Sequence, residues 1–285
     1  MRYPTLIAIA MILLLAVGLP YASIPLDFLR YLWWSAGSDG VHGSVLSQGA
    51  EIHYTSYGKG EPILLLHGGL SNRLSWFSQL PWLVEAGRRV ILVDTRGHGG
   101  SGLGRSDFSY RLLAADAVRV LDALGVERTD VIGWSDGGNV ALQLARDWPS
   151  RVQRIVAISA NFDPSGLVPA ARRDARTVSS GSGYWLRRVW TEAGELTGEL
   201  ERRVKRLWRT GPTLTPEDLR GIKAPVLVIG GERDMISLEH TKRLANLLAH
   251  AELRVIPGGG HATPVTRAEQ VNSAIARFLG LQVPT

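Results

Sequence analysis

A doubly wound α/β sheet is the fold class this sequence predicts, on two observations. Short, continuous runs rich in Val, Ile and Leu recur along the chain, and stretches with helical spacing separate them. Such runs fit strands buried on both faces, and their alternation with helices builds a mostly parallel sheet covered on each side.

Taken in order, Val45 to Gln48 and Glu51 to Tyr57 read as two strands parted by Gly49-Ala50, the pattern of a hairpin. Pro62 to Leu66, Arg89 to Val93, Asp130 to Trp134, Arg154 to Ser159, Pro225 to Ile229 and Glu252 to Ile256 are the buried strands. Helical spacing runs from about Ser75 to Ala86, Tyr110 to Leu124, Gly138 to Asp147, Leu238 to Ala249 and Pro264 to Leu279. From Asp163 to Arg220 no buried strand is readable, and the residues are Arg-rich and helical in character, with 11 Lys/Arg against 8 Asp/Glu. We read about 163–220 as a helical insertion over the mouth of the sheet, and its interleaved charges as a solvated, salt-bridged face rather than a nucleic-acid site.

Composition bounds the rest. The 285 residues are 45% hydrophobic and 20% charged, an ordinary globular balance, with a net charge of +6. There is no cysteine, which excludes disulfides, thiolate metal sites and cysteine nucleophiles. Residues 1–26 differ from the rest of the chain: Leu6 to Leu19 is an unbroken apolar run preceded only by Arg2 and the amino terminus. That layout predicts a signal segment or an uncleaved membrane anchor, with membrane association through residues 3–26 and Tyr31 to Trp34 as an interfacial belt. The catalytic domain is then expected outside the cytoplasm, after a linker over 27–44 and within residues 45–285.

The strongest chemical signal is Gly133-Trp134-Ser135-Asp136-Gly137, a G-x-S-x-G match that comes after a predicted strand and opens a predicted helix. A strand turning sharply into a helix pushes the Ser135 hydroxyl out at the carboxyl edge of the sheet, and flanking glycines make room for the turn. A serine needs a base to take its proton. Of seven histidines, His261 lies in Gly258-Gly259-Gly260-His261, just after the last predicted strand and at the same edge. The base in turn needs a carboxylate behind it. Asp234 follows its strand through Gly230-Gly231-Glu232-Arg233, and Glu232 and Asp163 are its rivals. Donors for a developing oxyanion are the backbone N–H of Asp136 and one from His67-Gly68-Gly69-Leu70, with Gly69 first and Leu70 as the alternative. Asp94-Thr95-Arg96-Gly97-His98-Gly99 reads as a structural turn with its charges paired internally. Neither a phosphate-cradling motif nor a His/carboxylate pair of metal-ligand spacing is present, so no metal is expected.

HGG at 67–69, DTRGHGGSG at 94–102, GWSDGG at 133–138, GGERD at 230–234 and GGGH at 258–261 together resemble the α/β-hydrolase superfamily over residues 45–282. The resemblance implies an eight-stranded, mostly parallel sheet, a helical cap inserted after the sixth strand, and hydrolase chemistry without a cofactor. The elbow is similar to that of the biphenyl-hydrolase-like and valacyclovirase group, which cleaves amino-acid esters. In that group the acid beside the nucleophile is associated with recognising the substrate's amino group, and Asp136 matches it. These readings predict a serine hydrolase acting on a small-molecule carboxylic ester through an acyl-enzyme. A lactonase, an amidase, a carbon–carbon bond hydrolase, a haloperoxidase-like enzyme and a membrane-surface lipase are alternatives on the same residues. From another class, the alternative is a non-catalytic small-molecule receptor.

Overall fold

The computed structural model describes residues 23–175 and 197–283. Helix α1 (Ser23–Ala36) precedes an antiparallel hairpin of β1 (Val41–Ser47) and β2 (Ala50–Tyr57). Gln48 and Gly49 turn the hairpin with φ of 42° and 76°, the left-handed pair whose twist matches that of the strands. There follow β3 (Pro62–Leu66), α2 (Leu80–Glu85), β4 (Arg89–Val93), α3 (Tyr110–Ala123), β5 (Thr129–Trp134), α4 (Asp136–Asp147) and β6 (Val152–Ile158). After α5 (Pro169–Asp174), α6 (Thr197–Thr210) and α7 (Pro216–Gly221) come β7 (Val226–Gly231), α8 (Leu238–Leu247), β8 (Ala251–Ile256), α9 (Thr263–Thr266) and α10 (Ala268–Leu279).

The eight strands form one sheet in the order β1-β2-β4-β3-β5-β6-β7-β8. Only β2 runs against its neighbours; the pairs from β4 through β8 are parallel. Alternation along each strand divides the core. On β3, Leu64 and Leu66 join a cluster with Leu113, Val120, Val140 and Leu144 of α3 and α4, whereas Ile63 and Leu65 join Trp76, Leu83, Val271 and Ile275 on the other face. Val226 and Val228 of β7 face the first cluster, Leu227 and Ile229 the second. Because the strands are parallel and in register, the loops after β3, β4, β5, β6, β7 and β8 emerge at one edge of the sheet, where α/β folds place their sites.

Several expectations change. A helix expected over 75–86 is a 3-10 turn at Arg73–Trp76 followed by α2, because Pro81 has no N–H to continue a helix through it. The helix expected from Pro264 breaks at Arg267, φ −138°, into α9 and α10. Residues 27–44, expected as a linker, hold α1 and the start of β1. The segment expected as a cap at about 163–220 holds a 3-10 turn at Pro164–Gly166 and the helices α5, α6 and α7, with an isolated bridge from Leu167 to Ile236 and a non-helical stretch over 211–215. Residues 176–196 of it lie outside the described residues.

The expectation of an exported or membrane-anchored chain is overturned. Among the described residues no helix is long and apolar enough to cross a membrane. Of the belt residues, Tyr31 and Trp34 face protein, while Trp33 is exposed. Trp34 lies 5.2 Å from the Tyr57 ring, Phe28 meets Phe77 edge-on at 5.5 Å, and Tyr31 and Trp34 pack against the second cluster. Ser78 also donates to Asp27 at 3.1 Å. Residues 3–22 of the expected segment lie outside the described residues.

Candidate active site

Ser135 stands between β5 and α4 with φ 55° and ψ −118°, a region costly to any residue with a Cβ, on the order of 1–3 kcal/mol. The turn closes only because its neighbours are glycines: a Cβ on Gly133 would overlap the Gly137 backbone, and one on Gly137 would overlap the Leu66 carbonyl. Ser135 N–H donates to Ile158 O at 2.8 Å, which ties the elbow to β6.

The structure brings the three sequence-selected side chains into one line. His261 Nε2 lies 2.8 Å from Ser135 Oγ, and His261 Nδ1 lies 2.6 Å from Asp234 Oδ1. With the Nδ1 proton given to Asp234, Nε2 is left to accept from the serine hydroxyl. Asp234 is buried and each oxygen is held twice. Ile236 N–H also donates to Oδ1 at 3.1 Å, while Ser159 Oγ and Gly231 N–H donate to Oδ2 at 2.5 and 3.2 Å. Burial pushes this carboxyl up, but the His261 hydrogen bond and charge, with the Ser159 and Ile236 donors, outweigh it and hold it below the usual carboxylate range. Trp134 Nε1 donates to His261 O at 2.8 Å and fixes the loop that carries the base. The rivals are occupied elsewhere. Asp163 caps the turn after β6 by accepting from Ser165 N–H, and Glu232 accepts from Gly258 N–H.

The loop 67–70 is locked to the loop after β4 through two neutral histidines. His67 donates from Nδ1 to Gly68 O at 2.7 Å and accepts from Thr95 N–H at Nε2, 3.0 Å. His98 accepts from Leu70 N–H at Nε2, 3.0 Å, with Nδ1 3.0 Å from Arg96 O. Burial pushes both below the ordinary histidine value, His98 to about 3. Of the two expected donors on this loop, the Leu70 N–H is thus directed at His98. The Asp94–His98 turn does not pair its charges internally. Asp94 accepts from Arg73, and Arg96 is forked onto Asp116 at 2.9 and 2.6 Å across from α3.

A cavity of about 150 Å³ opens beside Ser135, with Trp134, Asp136, Asn161, Leu167, Trp208 and Ile236 among its walls. Asp136 is buried, and its carboxylate accepts from Tyr110 Oη at 2.7 Å and from Trp208 Nε1 at 2.8 and 3.0 Å. Burial raises its pKa, opposed by those donors. Sequence reasoning missed Tyr110, Ser159 and Trp208, which reach the site from α3, β6 and α6 and carry no motif. Among the described residues no cluster of three or more His, Asp or Glu could hold a metal ion.

An eight-stranded sheet carrying a strained serine at the end of its fifth strand defines a class, and comparison with known proteins names it. The model of the alpha/beta hydrolase family matches residues 63–274, and the chain belongs to that family. It is 31% identical to a non-heme haloperoxidase of Rhodococcus erythropolis over 82% of this chain and 97% of the relative. It is 32% identical to a 2-hydroxy-6-oxononadienedioate/2-hydroxy-6-oxononatrienedioate hydrolase of Paraburkholderia phymatum, over 83% and 94%. The fold matches the meta-cleavage product hydrolase CumD of Pseudomonas fluorescens with a TM-score of 0.74 and 23% identity, covering 84% of this chain and 97% of that one.

Proposed function

We propose that the protein is a serine hydrolase that cleaves a small carboxylic ester, with Ser135 as nucleophile, His261 as base and Asp234 as the acid behind it. The observation that carries this reading is the unbroken hydrogen-bonded line from Ser135 Oγ through His261 to Asp234, at 2.8 and 2.6 Å, with the serine presented on a strained elbow. Ser135 Oγ bonds to the carbonyl carbon while His261 Nε2 takes its proton, and the backbone N–H groups of Asp136 and Gly69 receive the oxyanion. His261 returns the proton to the leaving alkoxide as the carbon–oxygen bond breaks. A water then gives its proton to His261, attacks the acyl group, and releases the acid with Ser135 restored.

A cavity of about 150 Å³ is the size that holds a benzene-sized group, which favours short acyl chains. Hydrolysis of p-nitrophenyl esters from acetate to laurate, with an amino-acid ester alongside, tests the reading against Ser135→Ala. Turnover is expected to be greatest on acetate to butyrate and to fall by at least about a thousandfold in the variant. Activity that survives Ser135→Ala overturns the assignment, and binding without multiple turnover would favour a receptor. The likeness to a haloperoxidase supports a second reading on the same serine; halogenation that needs peroxide and halide and outpaces ester turnover would favour it.

A further inference from the structure

We propose that Trp208, carried by the cap helix α6, is a positioning residue of the oxyanion site, so that the cap takes part in the chemical step and not only in enclosing the substrate. The inference rests on the serine-hydrolase reading of the site.

The two donors of that reading, the N–H groups of Gly69 and Asp136, belong to different loops, and something must hold one against the other. Trp208 touches both. Its Nε1–H forks onto the Asp136 carboxylate at 2.8 and 3.0 Å, fixing the side chain of the residue just after the nucleophile. That carboxylate in turn lies against Gly69: a Cβ placed on Gly69 would overlap Asp136 Oδ2. The same Cβ would stand 3.0 Å from Trp208 Cζ2 and 3.1 Å from Val204 Cγ1, one turn earlier on α6. On the next residue, Leu70 is tied down by its bond to His98, 3.0 Å. Gly69 is thus held between the cap helix, the elbow and the loop after β4, and has no side chain because there is no room for one. Leu200 and Val204 anchor α6 by packing with Leu103, so the indole is delivered by a seated helix.

Oxyanion donors act only where they are placed: the hydrogen bond must be made to the developing charge, and a displacement of about 1 Å costs on the order of a hundredfold. Removing the indole N–H leaves Asp136 still held by Tyr110 at 2.7 Å. The elbow is therefore not left with an unsolvated charge, and the effect is one of placement.

The test uses the full chain and p-nitrophenyl acetate. In Trp208→Phe, which keeps a ring against Gly69 and removes the N–H, kcat is expected to fall about tenfold with KM within about twofold. Affinity for a short alkyl boronic acid, which makes a tetrahedral adduct with the serine, is expected to weaken by the same factor. Affinity for the matching carboxylic acid is expected to stay unchanged. Val204→Ala removes the other contact on Gly69 and is expected to move kcat and boronate affinity in the same direction by a smaller factor, which keeps the proposal testable should the Trp208 variant fold poorly. If the wild type turns over in a Ser135-dependent way and neither variant changes kcat or boronate affinity, or if only KM rises, Trp208 merely lines the cavity and the proposal is overturned. If the wild type shows no Ser135-dependent turnover, it is the serine-hydrolase reading that fails.

Discussion

Ser159 holds a backbone conformation that serine rarely adopts, φ 53°, at the carboxyl end of β6, and its side chain is wholly buried there. The strain has a visible use. It turns the hydroxyl toward Asp234 Oδ2 at 2.5 Å, on the oxygen not facing His261. Such supporting bonds orient the groups that do touch the reacting atoms. Alanine at 159 bears the same backbone strain as serine, so Ser159→Ala isolates the hydroxyl. The expected result is about a tenfold loss of kcat on a p-nitrophenyl ester with KM nearly unchanged, and a loss of about 1–3 kcal/mol of stability from the under-satisfied carboxylate. Wild-type kcat in a folded Ser159→Ala protein would show that Asp234 is held well enough by Gly231, Ile236 and His261 alone.

At the scale of elements, the loops after β3 and β4 are joined by His67 and His98, both buried and both neutral. The pH consequence has a definite sign. The His98 pKa is about 3 in the folded protein against 6.5 for an ordinary histidine, so below pH 6.5 the unfolded chain binds a proton that the folded one refuses. Stability is full above 6.5 and falls by about 1.36 kcal/mol per pH unit toward pH 3, hence about 2 kcal/mol by pH 5. In His98→Gln, whose amide oxygen can still accept from Leu70 N–H, that share of the loss is expected to vanish when denaturant unfolding is compared at pH 7 and pH 5. His67 and His240 shift in the same direction and keep a residual slope. An unchanged loss would mean that His98 is not the buried neutral group described. Elements also mark where sequence reading stops. The inner strands β3 to β7 were legible because strands buried on both faces leave continuous apolar runs, whereas the edge strands β1 and β8 are largely exposed. Ser135, His261 and Asp234 stood out because each comes shortly after a strand. Tyr110 and Trp208 were not, since they meet Asp136 across 26 and 72 residues and nothing local marks the meeting. The pairing of Arg96 with Asp116 rather than Asp94 is a similar case, decided by where α3 lies across the loop.

On the scale of the whole molecule, the N-terminal helix changes what a minimal protein is. Read from sequence alone, the domain begins at Val45, after a signal or anchor segment over 1–26 and a linker over 27–44. In the folded chain α1 is part of the second core face. Phe28 meets Phe77, Trp34 meets Tyr57, and Asp27 accepts from Ser78, beside the loop that Gln79 ties to Pro264 O at 2.9 Å and to Asn272 at 2.7 Å. Phe77 is only 4% exposed with α1 in place. Each large aromatic or aliphatic side chain kept from water contributes about 1.5–3 kcal/mol. Two chains separate the contribution of α1 from that of residues 1–22, one beginning at Ser23 and one at Gly37. Losing Phe28, Tyr31 and Trp34 together is expected to cost the shorter chain about 3–6 kcal/mol once relaxation of the exposed face is allowed. For a domain of this size that is a Tm lower by roughly 8–20 °C. The same Gln79 and Pro264 contacts lead to α9, close in the chain to His261, so the shorter chain is expected to lose hydrolase activity on heating before the longer one does. Equal Tm and equal heat inactivation in the two chains would mean that α1 rests on the surface without supporting it.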